Sequence, residues 1–335
     1  MTGWPVPESG SAYFWPAQPL SGCCLLHMIV YKSTDWWEAL RHLRASGIVR
    51  LLLRRVLFVG LYATAITALV IRFNALNVAV DKEFFSFLGI MLSLLLVFRT
   101  NTAYDRFYEG RRLWGQLVNN CRNLAVLLHT RLPAEDYATR TYLARLLSNF
   151  PIALDGHLRS GVRFEKLEEV EAGFIDQLKT VGHVPSRLSA MLQEFYEELL
   201  REERILPTHL ITIQRHHEAL LDVAGACERI KSTPIPFSYS YFIKGFISVF
   251  ILIMPFNLLD TYQWLTVPIT MFGAYALLGV EMIGDEIEDP FGKDSNDLPL
   301  TQISNRIRAN VHEILGVDLH EDIRGLADAP YSVVF

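Results

Sequence analysis

Few side chains in this sequence are spaced for covalent chemistry. His216 and His217 are neighbours, and successive side chains on a helix point about 100° apart, a poor geometry for gripping one metal. The four cysteines, Cys23, Cys24, Cys121 and Cys227, lack CxxC spacing and are too scattered for a disulfide framework or a zinc site. GxSxG, HExxH and P-loop patterns are absent, and no nucleophile, base and orienting group form a set. The expectation is a protein that is not an enzyme and uses no cofactor or metal. One physical pattern stands out. Ile90, Leu94 and Phe98 recur every four residues, share one face of a helix, and end at Arg99. Such a face can pack against a neighbouring helix or line a space, and periodicity alone favours packing.

The elements that carry this stripe are read from composition and charge. The 335 residues are 51% hydrophobic and 20% charged, and mean hydropathy is +0.22. That balance predicts a chain partly in lipid and partly in water. A net charge of -5 gives no basic excess for nucleic acid. Four apolar segments occur: Val56 to Ile71, Phe84 to Phe98, Gly245 to Leu259, and Trp264 to Val280. Each has roughly 15 to 17 uncharged residues, fewer than the roughly 20 that cross a bilayer. Flanking uncharged residues make up part of the shortfall. The segments pair into two hairpins, with about a dozen residues inside the first and about four inside the second.

Basic residues gather before the first segment (Arg50, Arg54, Arg55), after the second (Arg99, Arg106, Arg111, Arg112) and before the third (Arg229, Lys231). The hairpin loops carry few. The positive-inside rule then places both termini and the long middle region in the cytoplasm of a multi-pass protein of the plasma (inner) membrane. The fold class expected is an all-α membrane protein with four transmembrane helices and a helical cytoplasmic domain. Its divisions are 1–27 (a disordered or over-extended start), 28–55 (an amphipathic N-terminal helix), 56–98 (spans one and two), 99–234 (cytoplasmic helices), 235–283 (spans three and four), and 284–335. The last contains a packing helix with Ile303, Ile307, Val311 and Leu315 on one stripe. Pro151, Gly161, Pro185 and Pro207 read as punctuation, and Pro255 as the clearest break inside a span. Glu281, beside the fourth segment, could be a membrane-embedded acid, but reads better as one at the cytoplasmic exit. In 98–115, FRTNTAYDRFYEGRRLWG, neither Gly nor Pro stands at the junction where the apolar run meets Arg99, so one helix is expected to run from lipid into water. A helix can do this because its backbone hydrogen bonds are internal in either solvent.

The stretch Arg99-Thr100-Asn101-Thr102-Ala103-Tyr104-Asp105-Arg106-Phe107, with Glu109 and Leu113-Trp114-Gly115, resembles the RxNxAYxRWWEARxLWG signature of prokaryotic bestrophins. Two further blocks agree in order. Cys227-Glu228-Arg229-Ile230 with Thr233-Pro234-Ile235-Pro236-Phe237 resembles CERLxxTPxPF, and Glu288 to Gly292 with Asn296 to Leu300 resembles EDPFGxxxNDLPL. The resemblance runs from about Met28 to Leu315. Phe107-Tyr108 replaces the double Trp, and Gly110 replaces an Ala.

That resemblance implies a homopentameric ion channel in which the second helix of each chain lines an apolar neck. By position the neck residues would be Ile90, Leu94 and Phe98, and three apolar rings would gate by dewetting. A second, cytoplasmic constriction would fall at Thr208, which could equally be only a helix-start residue. Eukaryotic members bind calcium after the PFG. Here only Asp294 and Asp297 remain beside Lys293, short of the six to eight oxygens calcium takes, so a polar turn capping helix 300–315 is the better reading. The partners implied are small monovalent ions, the lipid bilayer and four further copies. His209 beside Thr208, with no neighbouring acid, tilts the expectation toward anions such as chloride. A cation channel of the same fold and a non-conducting helical scaffold or sensor are the alternatives.

Overall fold

The computed structural model describes residues 47–73, 81–159, 161–294 and 296–319. The expectations for residues 1–46, including the amphipathic helix before Gly47, lie outside them. Among the described residues the structure is helical, with no strand. Helix α1 spans Gly47–Phe73, α2 Lys82–Arg131, α3 Tyr137–Leu158, α4 Phe174–Lys179, α5 Val184–Arg201, α6 Pro207–Ser232, α7 Phe237–Tyr262, α8 Thr266–Glu288 and α9 Leu300–Leu315.

The continuous helix expected through 98–115 is present and longer than the pattern required. α2 holds 50 residues, about 75 Å at 1.5 Å per residue. Asp81 caps it by accepting the Phe84 N–H at 2.8 Å, and Leu132 leaves it in extended geometry. The shortfall in span length also disappears. Helix α1 has 27 residues, α7 26 and α8 23, because each runs past its uncharged segment into polar sequence. α1 begins before Val56 and carries Arg50, Arg54 and Arg55 on its own first turns.

Among the described residues, three stretches are long and apolar enough to cross a membrane: Ile48–Arg72, Lys82–Arg131 and Phe237–Glu288. The last is divided by a 3₁₀ turn at Gln263–Leu265, where Gln263 takes φ +45° and α8 folds back along α7. No more than 33% of any apolar window is buried. Apolar side chains such as Leu57, Phe58, Leu61, Val249, Leu252 and Phe272 therefore face outward, a surface suited to lipid rather than water.

Two of the expected breaks are corrected. Pro151 lies inside α3 and Pro255 inside α7, and neither ends its helix. A proline removes one N–H and crowds the carbonyl four residues back. Close packing compensates: Pro151 is buried, and its own carbonyl accepts the Ser304 hydroxyl at 3.0 Å. Pro185 and Pro207, by contrast, sit in the first turns of α5 and α6, where the missing N–H has no partner to lose. Pro234 and Pro236 separate α6 from α7, the bend expected there.

The core has two principal parts. One joins the polar half of α2 to α3, α5, α6 and α9 through Trp114, Leu117, Leu124, Phe150, Tyr196 and Phe291. Ile307, Val311 and Leu315 of the predicted C-terminal stripe are fully buried in it. The other joins the apolar half of α2 to α7 and α8 through Leu92, Leu96, Ile243, Ile247 and Ala274. Phe85 and Phe250 stack there with centroids 4.4 Å apart. α2 belongs to both, so it is the beam on which the chain is built.

Candidate functional site

Helix α2 presents two opposite faces at the level of the stripe. Leu92, Leu96, Arg99 and Ala103 are buried at 5% exposure or less. Ile90, Leu94 and Phe98 are 71%, 56% and 54% exposed. The stripe is therefore not part of this chain's own core. Packing within one chain, which periodicity favoured, is excluded for these three residues.

Arg99 fixes the buried face of α2 at the point where the stripe ends. Its guanidinium donates to Ser240 Oγ of α7 at 2.9 Å and pairs with Asp285 of α8, with Glu288 Oε2 at 3.5 Å. Lys244 of α7 donates to the other Asp285 oxygen at 2.7 Å and approaches Glu281 Oε1 at 3.3 Å. Two cations and three carboxylates thus join three helices. The 1% exposure of Arg99 makes each of these bonds necessary, since a buried charge without partners is costly. Glu281 is buried in this network.

Two turns further on, Arg106 donates to three carbonyl oxygens: Ile230 at 2.7 Å, Thr233 at 2.6 Å and Glu288 at 3.0 Å. The Glu288 carboxylate accepts the Ile235 N–H at 2.9 Å. Gly110 lies against Pro290 and Phe291, whose ring and prolyl carbons would be 3.1–3.2 Å from a Cβ there. The three sequence blocks singled out above, far apart in the chain, meet at this junction. Ser240, Lys244, Glu281 and Asp285 were not singled out as partners of Arg99. The available signal was faint: a lone Lys in an apolar run, and acids three and four residues apart just after another.

Thr208 is exposed in the first turn of α6, which packs along α2. It is not the cap. Leu206 holds that position, and its N–H is met by His209 Nδ1 at 3.3 Å. The Thr212 hydroxyl folds back onto the His209 carbonyl at 2.7 Å.

The loop with Asp294 and Asp297 departs from the reading of it as a helix cap. Asp297 is 4% exposed, and its Oδ2 accepts the Asp294 N–H at 2.6 Å, closing its own loop. Burial pushes its carboxyl up to about 7. Pro299 holds the cap position of helix α9 and no side chain caps it, so the loop does not cap that helix. His216 and His217 also part company. The first meets Asn120 Oδ1 at 2.9 Å, and the second meets Ser189 Oγ at 3.0 Å in the core.

Long helices, apolar outside and running unbroken into a polar helical body, define an integral membrane protein of the all-α class. The sequence profile of the bacterial and fungal bestrophins matches residues 28–313, and the chain belongs to that family. It is 32% identical over 285 residues to a voltage-dependent anion channel-forming protein of Nostoc, covering 83% of this chain and 91% of that one. A protein of the same description from Ralstonia nicotianae is also 32% identical, over 86% and 95% of the two chains. The crystal structure of a bacterial bestrophin homologue from Klebsiella pneumoniae superposes with a TM-score of 0.75 at 26% identity, covering 80% of this chain and 99% of that one.

Proposed function

We propose that this chain is one subunit of a homopentameric channel that passes small monovalent anions, chloride among them. The observation that carries the proposal is the exposed stripe Ile90, Leu94 and Phe98, on the helix face opposite the buried anchor at Arg99. Five copies around an axis would turn the stripe into three apolar rings, which hold back hydrated ions until the neck widens or wets. Thr208 would form a second, hydroxyl-lined ring beside His209. The two relatives described as anion channel-forming proteins support the choice of ion.

The same reading makes α1, the apolar half of α2, α7 and α8 four spans of the plasma membrane, roughly residues 56–98 and 235–283. The polar body of 99–234, residues 284–335 and both termini lie on the cytoplasmic side. Arg50, Arg54, Arg55, Arg106, Arg111 and Arg112 then share that side, as the positive-inside rule requires. Catalysis has no place in the reading.

The test is the reversal potential of the purified protein in planar bilayers under a KCl gradient. A potential that follows chloride, and persists when potassium is replaced by a large organic cation, is expected. One that follows potassium transfers the assignment to a cation channel of the same architecture. Silence from both the native chain and a neck-widened variant favours the scaffold.

A further inference from the structure

Three residues from distant parts of the sequence converge on one point of the polar body. His157 stands in the last turn of α3, His183 is the cap of α5, and Glu228 lies near the end of α6. Glu228 Oε1 is 3.0 Å from His157 Nε2 and 2.6 Å from His183 Nε2. The two imidazole centroids are 4.5 Å apart, and the three potential ligand atoms all lie within 4.8 Å of one another.

We infer that His157, His183 and Glu228 form a binding site for a borderline divalent metal of the Zn²⁺ class. Two imidazoles and one carboxylate are the donor set that suits such an ion, whereas Ca²⁺ and Mg²⁺ prefer oxygen alone. Exposures of 29%, 37% and 36% leave an open side for water to complete the coordination. His157 and Glu228 lie near the C-terminal ends of α3 and α6, which favour positive charge, while His183 sits at the N-terminus of α5, which opposes it. The ion would tie α6 to α3 and α5, three helices whose contributing residues are 26 and 45 positions apart in sequence.

Binding has a cost that can be read from the geometry. His183 Nδ1 accepts the Ser186 N–H at 3.1 Å, so the neutral ring carries its proton on Nε2. Coordination through Nε2 moves that proton to Nδ1, and the Ser186 N–H loses its acceptor. The site is therefore weaker than a closed structural site whose histidines have no second duty. None of the three residues belongs to the proposed neck or to Thr208, so the inference does not depend on the ion conducted.

The experiment is titration of the full-length, chelator-stripped protein in detergent with Zn²⁺ by calorimetry, and with Co²⁺ by visible absorption. One ion per chain and cobalt d–d bands are expected. His157→Gln, His183→Asn and Glu228→Gln should each weaken Zn²⁺ binding at least about tenfold and abolish the cobalt bands. His183→Asn guards against a folding artefact, because asparagine can keep the α5 cap while removing the ligand. Native chain that binds no Zn²⁺, or a folded His183→Asn chain that binds it as tightly as the native one, overturns the site.

Discussion

Arg99 is the residue whose loss would travel furthest. Arg99→Gln leaves Asp285, Glu281 and Glu288 with Lys244 as the only cation of the network. Removing one partner from a buried ion pair leaves charge uncompensated, so destabilisation on the order of 3 kcal/mol is expected, measured by thermal unfolding in detergent. Arg99→Lys should recover only part of it, since a single ammonium cannot reach Ser240 and Asp285 as a guanidinium does. Two buried groups predict opposite pH dependences. Burial pushes the Asp297 carboxyl up to about 7, so its contribution is full below about pH 4 and lost as pH rises through 7. Asp297→Asn should therefore stabilise the protein at pH 8, by roughly 1–2 kcal/mol, and do little at pH 4. Burial pushes the His217 imidazole down to about 4, so its contribution is present above about pH 6.5 and lost as pH falls through 4. A neutral replacement such as His217→Asn should flatten the acid limb of the stability curve, whatever it costs at neutral pH. Melting temperatures from pH 4 to 8 for both variants test the two signs together.

At the scale of elements, the end of α3 is held by a backbone approach that only glycine permits. A Cβ on Gly156 would lie 2.7 Å from Val162 Cα and 2.9 Å from the Gly161 carbonyl oxygen. These are main-chain atoms that cannot rotate away. Gly161 N–H donates back to the Gly156 carbonyl at 2.9 Å, so the clash would also open the turn. Gly156→Ala, which ordinarily strengthens a helix interior by up to about 1 kcal/mol, should here destabilise by about 2 kcal/mol or more. Denaturant unfolding of the purified protein measures the sign. Gly60 meets only the flexible Met271 side chain, so Gly60→Ala should be far milder.

For the whole molecule, the exposed stripe separates conduction from scaffolding. If five chains enclose it, replacing Ile90, Leu94 and Phe98 by alanine widens the neck and weakens its dewetting barrier. Single-channel conductance or open time should rise several-fold, while native mass spectrometry still reports a pentamer. A scaffold predicts the reverse. The three side chains would then be packing against partners, and their truncation would loosen the assembly without raising flux. Thr208→Leu offers an independent check: if Thr208 forms a second ring as proposed, a larger apolar side chain there should lower conductance with the neck untouched.

Helix content, the runs of uncharged residues and the bend at Thr233 to Phe237 are local properties. Period, charge boundaries and proline placement are written over a few consecutive turns, and they forecast α2 through 98–115 and the buried stripe of α9. The face carrying Ile90, Leu94 and Phe98 was legible for the same reason. Its exposure was not, because a four-residue period describes a packed seam and an open wall equally well. Contacts between distant segments had no such local mark. Arg99 and Asp285 are 186 residues apart and meet only because α7 and α8 fold back beside α2. Pro151 and Pro255 look like breaks in isolation, yet both stay inside helices because neighbouring helices hold the backbone around them. Asp297 reads as part of a polar turn, yet it is buried and accepts a hydrogen bond from its own loop. His157, His183 and Glu228 belong to three helices with no shared motif. Their convergence follows from how α3, α5 and α6 pack, a long-range outcome that periodicity does not encode.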